Sequence, residues 1–138
     1  MPVEPIKKYL LELESSFNKL ESCYIERYEE EILTPERVNI RIRVRFLNGY
    51  ILAWNESLIK EGMDIIHLGY RYHFQDSNNK IIFRYDNAPH FPQLETFPHH
   101  KHLSNNVIAV KRPAISELLK ELKKYIDSLL SKINKNII

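Results

Sequence analysis

A chain of 138 residues, 43% apolar and 28% charged, has the composition of one folded domain spanning residues 1–138 and not of a disordered or fibrous protein. Its single cysteine, Cys23, excludes an internal disulfide and a cysteine-based zinc site. The net charge of +2 is uneven: residues 1–34 carry four Lys/Arg against eight Asp/Glu, residues 35–60 five against two, a balance compatible with nucleic-acid contact but not diagnostic of it.

The opening stretch, MPVEPIKKYLLELESS, is amphipathic and lacks the apolar centre of a signal peptide. No apolar run is long enough to cross a bilayer, so no membrane partner is expected and the expected location is the cytoplasm. Residues 5–22 read as a helix, with Pro5 in the first turn and Ile6, Leu10, Leu13, Phe17 and Leu20 forming one apolar stripe. Residues 24–33 alternate in a way that favours a strand, closed by Thr34-Pro35.

The strongest periodicity follows. Val38, Ile40, Ile42, Val44 and Phe46 alternate with Asn39, Arg41, Arg43 and Arg45, the period of two that belongs to a half-buried strand. Asn48-Gly49 suits a two-residue hairpin turn, which sets Arg43 opposite Trp54 and Arg41 opposite Glu56. Those partners favour a structural role for the arginine stripe over a nucleic-acid surface. A second hairpin, LGYRYHFQDSNNKIIFRYD, turns at Asn78-Asn79 and pairs Phe74 with Phe83, Tyr72 with Tyr85, His73 with Arg84 and Arg71 with Asp86. The alternative four-residue loop would set Arg71 against Arg84 and repel. One face of this hairpin is aromatic; the other holds Arg71, His73, Gln75, Arg84 and Asp86.

A loop with three prolines (Pro89, Pro92 and Pro98) and four histidines (His90, His99, His100 and His102) comes next, then a short strand over Val107–Val110. Pro113 opens a final helix whose apolar face is Ile115, Leu118, Leu119, Leu122, Ile126, Leu129 and Ile133. The sum is an α+β fold: a single antiparallel sheet of about five strands, built on two hairpins, with the N- and C-terminal helices packed on one face.

Five of the six histidines fall within residues 73–102 among arginine and aspartate. Prolines remove backbone freedom in advance, so side chains on such a loop can be held without regular structure. Arg71, Arg84 and Lys101 suit an anionic phosphate. His73, His90 and His100 suit proton transfer near neutral pH without a cofactor, and Asp86 suits orienting one of them. The bland readings are a plain Arg71–Asp86 ion pair and a packed or solvated His67. The sharpest competitor is a divalent metal, with His90, His99, His100 and His102 as candidate ligands and Asp86 nearby.

The strings YRYHFQD, IIFRYDNAPH and LETFPHHKHL together resemble the TumE-like family, the toxin component of bacterial and archaeal toxin–antitoxin modules. The resemblance is dense between Tyr70 and Leu103, and the Asn-Gly hairpin and proline-led final helix fit the same layout. It implies a cognate antitoxin as partner and growth inhibition by the free toxin; it implies no residue-level mechanism. From side-chain chemistry, one hypothesis is an enzyme that cuts RNA or otherwise attacks a phosphodiester. The other is a non-catalytic module that docks on protein or nucleic acid, with Phe91 and Phe97 as anchors. Glu12, Glu14 and Glu21 offer an acidic helix face to an antitoxin or to a second copy in a homodimer, although a solvated face is the plainer reading.

Overall fold

The described residues form two amphipathic helices and seven strands, of which β2 follows the sequence alternation most closely. The computed structural model describes the backbone of residues 1–137 and side chains as far as Ile126. Helix α1 (Glu4–Asn18) leads into β1 (Cys23–Thr34), β2 (Arg37–Phe46), β3 (Ile51–Glu61), β4 (Asp64–Gln75), β5 (Ile81–Asp86), β6 (His100–His102), β7 (Val107–Ala109) and α2 (Ile115–Ile137). The strands pair antiparallel in chain order, so the sheet is an unbroken meander. Among the described residues no helix is long and apolar enough to cross a membrane.

The sheet therefore has seven strands where about five were expected. The extra pairing comes mainly from β6, a three-residue strand in the histidine-rich segment. Three residues are too few to display a period of two, and the prolines around them mask the little there is. Helix α1 ends at Asn18, four residues short of the expected end, and the left-handed Ser22 (φ +60°) turns the chain into β1.

Both hairpin turns have three residues instead of two. In the first, Gly49 donates to the Phe46 carbonyl at 2.9 Å and Phe46 to that of Tyr50 at 2.8 Å, with Gly49 at φ +88°. A three-residue loop with one left-handed residue at its end needs glycine only there. The register consequently moves by one: Ile42 faces Trp54 and Ile40 faces Glu56, while Arg43 faces Ala53 and Arg41 faces Asn55. The expected pairs Arg43–Trp54 and Arg41–Glu56 do not form. Their register would have put Trp54 on the polar face, and burying this large indole decides the matter. In the second hairpin, Asn79 takes the left-handed place (φ +64°) and a bulge at Ile82 absorbs the extra turn residue. All four expected pairs, Phe74–Phe83, Tyr72–Tyr85, His73–Arg84 and Arg71–Asp86, are present.

One face of the sheet is the core. Ile6, Leu10, Leu13 and Phe17 of α1 and Leu118, Leu122 and Ile126 of α2 are buried against it, with Ile115 and Leu119 packed alongside. Leu129 and Ile133 lie outside the described side chains. Trp54 stacks on Tyr72 at 3.7 Å between ring centroids and meets Phe17 edge-on at 5.6 Å. The opposite face is polar, and register arranges it in rows. One runs Arg41, Asn55, Arg71, Asp86, His100; the next runs Arg43, Ala53, His73, Arg84, His102.

Candidate active site

These rows meet the loop between β5 and β6. The Asn87 side chain accepts from the Tyr70 amide at 3.0 Å and donates to the Leu68 carbonyl, prolonging the β4–β5 ladder by one step. The Ala88 amide donates to Asp86 Oδ1 at 3.0 Å. The chain then turns repeatedly, through His90 to Ala88, Leu94 to Phe91, Phe97 to Leu94 and His99 to Thr96, before re-entering the sheet at His100. Between this loop and the polar face lies a cleft of about 770 Å³. Its charged lining residues are Arg37, Arg41, Glu56, Arg71, Arg84 and Asp86, with His90 and His102 beside them.

Asp86 is the hub, 6% exposed. Its Oδ2 accepts from Arg84 Nε at 3.1 Å and lies 3.4 Å from His102 Nε2, while Oδ1 lies 2.8 Å from His100 Nε2. The two Nε2 atoms are 3.0 Å apart. His100 Nδ1 is 2.9 Å from the Pro98 carbonyl, which can only accept, so Nδ1 carries a proton. Phe91 packs against both imidazoles, 4.8 Å from His100 and 5.6 Å from His102, and so acts as a strut for the cluster. Burial first, then the Arg84 charge, lowers the pKa of His102 against the opposing pull of Asp86.

Arg71 sits across from Asp86 in the register, yet Asp86 is engaged by Arg84 and the histidines instead. Among the described residues neither Arg71 nor Arg41 forms an ion pair. The arginine stripe thus divides. Arg43 and Arg45 both bind Glu26 on β1, whereas Arg41 opens into the cleft. Arg37, which also lines the cleft, bonds the Ser57 hydroxyl at 2.8 Å.

The remaining residues singled out from sequence are scattered. His90 is exposed at the cleft mouth. His73 lies on the polar face beside Arg84; its Nε2 meets Gln75 at 3.1 Å and its buried Nδ1 has no partner. Burial, then the Arg84 and Arg71 charges, lowers its pKa against the Gln75 bond. Strand alternation turns Lys101 to the helix side, where it bonds Glu121 and lies over the Phe83 and Tyr85 rings. His99 also leaves the cluster, with Nδ1 2.8 Å from the Tyr70 hydroxyl.

Sequence reasoning missed a second polar centre on the core side. Glu56 is 3% exposed, and its carboxylate accepts from Tyr72 at 2.6 Å, Tyr9 and His67 at 2.7 Å, and Trp54 at 2.9 Å. Burial raises the Glu56 pKa, but these bonds, led by His67, outweigh it and hold the group below the usual carboxylate range. The signal that would have found it is the corrected register, which places Glu56 on the face of Trp54.

The family model for toxin TumE matches residues 12–130, which takes in the whole sheet, the loop and most of α2. The chain belongs to the TumE toxin family. Comparison with curated proteins and with solved structures returned no match. Within the TumE match, the string RYDNAPH contributes Arg84, Asp86 and the Ala88 amide, and PHHKH contributes the Pro98 carbonyl, His100 and His102. The two strings are therefore the two sides of one hydrogen-bonded cluster.

Proposed function

We propose that this TumE toxin acts on RNA, with the polar cleft as the site where a phosphodiester is held and cleaved. One observation carries the reading: Arg37, Arg41, Arg71 and Arg84 converge on a cleft that also holds two imidazoles and the buried Asp86 carboxylate. Guanidinium groups outside ion pairs are poised for phosphate, and among the described residues Arg41 and Arg71 form none, although Glu29 faces Arg41 across β1. In the reaction, one group takes the proton of the attacking hydroxyl and another protonates the departing oxygen, while the arginines stabilise the charge gathering on phosphorus. His90 at the cleft mouth is placed for one of these roles, while Asp86 steadies Arg84 and His102 in the wall beside it. A cognate antitoxin, the partner that a toxin of this kind implies, restrains the activity.

The test is expression of Arg71→Ala and His90→Ala variants beside the parent chain. Both are expected to relieve growth inhibition and to lose RNA cleavage by the purified protein, with circular dichroism unchanged. Full toxicity in both variants removes the cleft from the mechanism. RNA retained but never cut would make the protein a binding module.

A further inference from the structure

The His100 ring presents a charge problem. Its Nδ1 proton is committed to the Pro98 carbonyl at 2.9 Å, so a neutral ring offers only a lone pair at Nε2. That lone pair would face Asp86 Oδ1 at 2.8 Å and His102 Nε2 at 3.0 Å. An unprotonated Nε2 that close to a carboxylate oxygen is repulsive unless a positive species lies between them, and the His102 ring brings a second nitrogen to the same spot. In a group only 1% exposed, water does not screen the repulsion.

We infer that Asp86, His100 and His102 form a binding site for one divalent transition-metal ion of the zinc class, set in the wall of the cleft. One oxygen and two imidazole nitrogens lie within 4.8 Å of one another, with Asp86 and His100 buried. Bonds of about 2.0–2.1 Å in a tetrahedral arrangement space ligand atoms roughly 3.3 Å apart. The 2.8 Å from Asp86 Oδ1 to His100 Nε2 and the 3.0 Å between the two Nε2 atoms reach that spacing with side-chain shifts of a few tenths of an ångström, and His102 approaches the same carboxylate through Oδ2 at 3.4 Å. A nitrogen-rich set suits zinc or its neighbours better than magnesium or calcium.

The supporting bonds are those a metal centre needs. A ligating imidazole is fixed by giving its other N–H to a carbonyl or carboxylate, as His100 gives Nδ1–H to Pro98. A ligating carboxylate is itself hydrogen-bonded, as Asp86 is by Arg84 Nε and the Ala88 amide. Arg84 engages Oδ2 and leaves Oδ1 toward His100, so guanidinium and ion share one carboxylate. Three protein ligands leave a four-coordinate ion one position for water or substrate, and Asp86 and His102 border the cleft. The catalytic use of such an ion rests on the phosphodiester reading; its presence does not.

The test uses the full chain, stripped with chelator and titrated with Co²⁺ while visible absorption is followed, and with Zn²⁺ in a calorimeter. One equivalent is expected to bind, with the absorption of four-coordinate cobalt. His102→Ala and Asp86→Asn, which leave buried His100 in place, should each weaken binding by more than the roughly 10–100-fold that loss of a supporting hydrogen bond costs. Circular dichroism and thermal melting report their folding. No saturable binding, or binding unchanged in His102→Ala, overturns the site and leaves a proton as the species between the rings. Tight stoichiometric binding in a protein that never cuts RNA keeps the metal site and overturns the phosphodiester reading. Cleavage by chelator-stripped protein that binds no cobalt does the reverse.

Discussion

Arg71 and Arg84 stand on adjacent strands of the same face but in different electrostatic states. Arg84 is tied to Asp86 at 3.1 Å, whereas Arg71 has no anionic partner among the described residues. Removing Arg84 would strip a bond from the buried hub, and a loss of activity could then reflect damage to the cluster. Removing Arg71 leaves every hydrogen bond of Asp86 in place. Arg71→Ala should therefore leave the unfolding free energy within the small range usual for surface substitutions, about ±0.5 kcal/mol, while weakening RNA binding. Thermal denaturation and filter binding on one preparation check both halves; a large fall in stability would contradict the partnerless state. Glu56 is the opposite kind of residue, a buried carboxylate whose oxygens accept from four side chains. Glu56→Gln removes the charge and sets an amide N–H₂ against donors, and should cost about 2–3 kcal/mol in chemical denaturation. Of these two residues, Arg71 was legible from sequence, because alternation alone assigns its face. Glu56 was not, because its face depends on a turn length that the letters Asn-Gly do not fix.

At the scale of elements the same distinction recurs. Strand identity and the core faces of the helices follow from local periodicity, and β2 and α1 carry it unbroken. Register is a property of two strands and a turn, and one extra turn residue flips a whole strand. The second hairpin kept its expected pairs only because the Ile82 bulge cancels the longer turn. The histidine segment showed its chemistry in the sequence but not its geometry. His100 and His102 share a face because β6 exists, and β6 exists because it pairs with the end of β5. Two predictions belong here. A Cβ at Gly49 would lie 3.1 Å from Ser77 Cβ, at a φ of +88° that side chains rarely adopt. Gly49→Ala should destabilise the protein by about 1–2 kcal/mol, read as a shift in denaturation midpoint with an unchanged slope. Asn87→Ala removes the bonds to Tyr70 and Leu68 that begin the loop. It should raise amide exchange across residues 88–99 while leaving the α1 amides protected; equal protection in the loop would mean that the prolines alone hold it.

For the molecule as a whole, the fold separates two jobs by face. The helix side carries stability, including the Glu56 network that joins Tyr9 of α1 to Trp54, His67 and Tyr72 of the sheet. Glu56 has a folded pKa held below its ordinary value of 4.5, so its contribution is present above that value and lost as pH falls through the folded one. The gap in stability between parent and Glu56→Gln should stay flat from pH 7 down to about 5 and narrow below it. The opposite face carries charge. Arg37, Arg41, Arg71 and Arg84 line the cleft, and Asp86 already neutralises about one of them. If the remaining roughly three engage phosphates of single-stranded RNA, log K should fall against log salt with a slope near −2, about 16-fold between 50 and 200 mM. Arg71→Ala should make that slope shallower by about 0.7, because one fewer counterion is released. An apolar docking surface built on Phe91 or Phe97 would show almost no salt dependence, and Phe91 is already occupied in packing against His100 and His102. Binding isotherms at four salt concentrations, for the parent and Arg71→Ala, decide the point: parallel lines would mean that Arg71 does not meet phosphate at all.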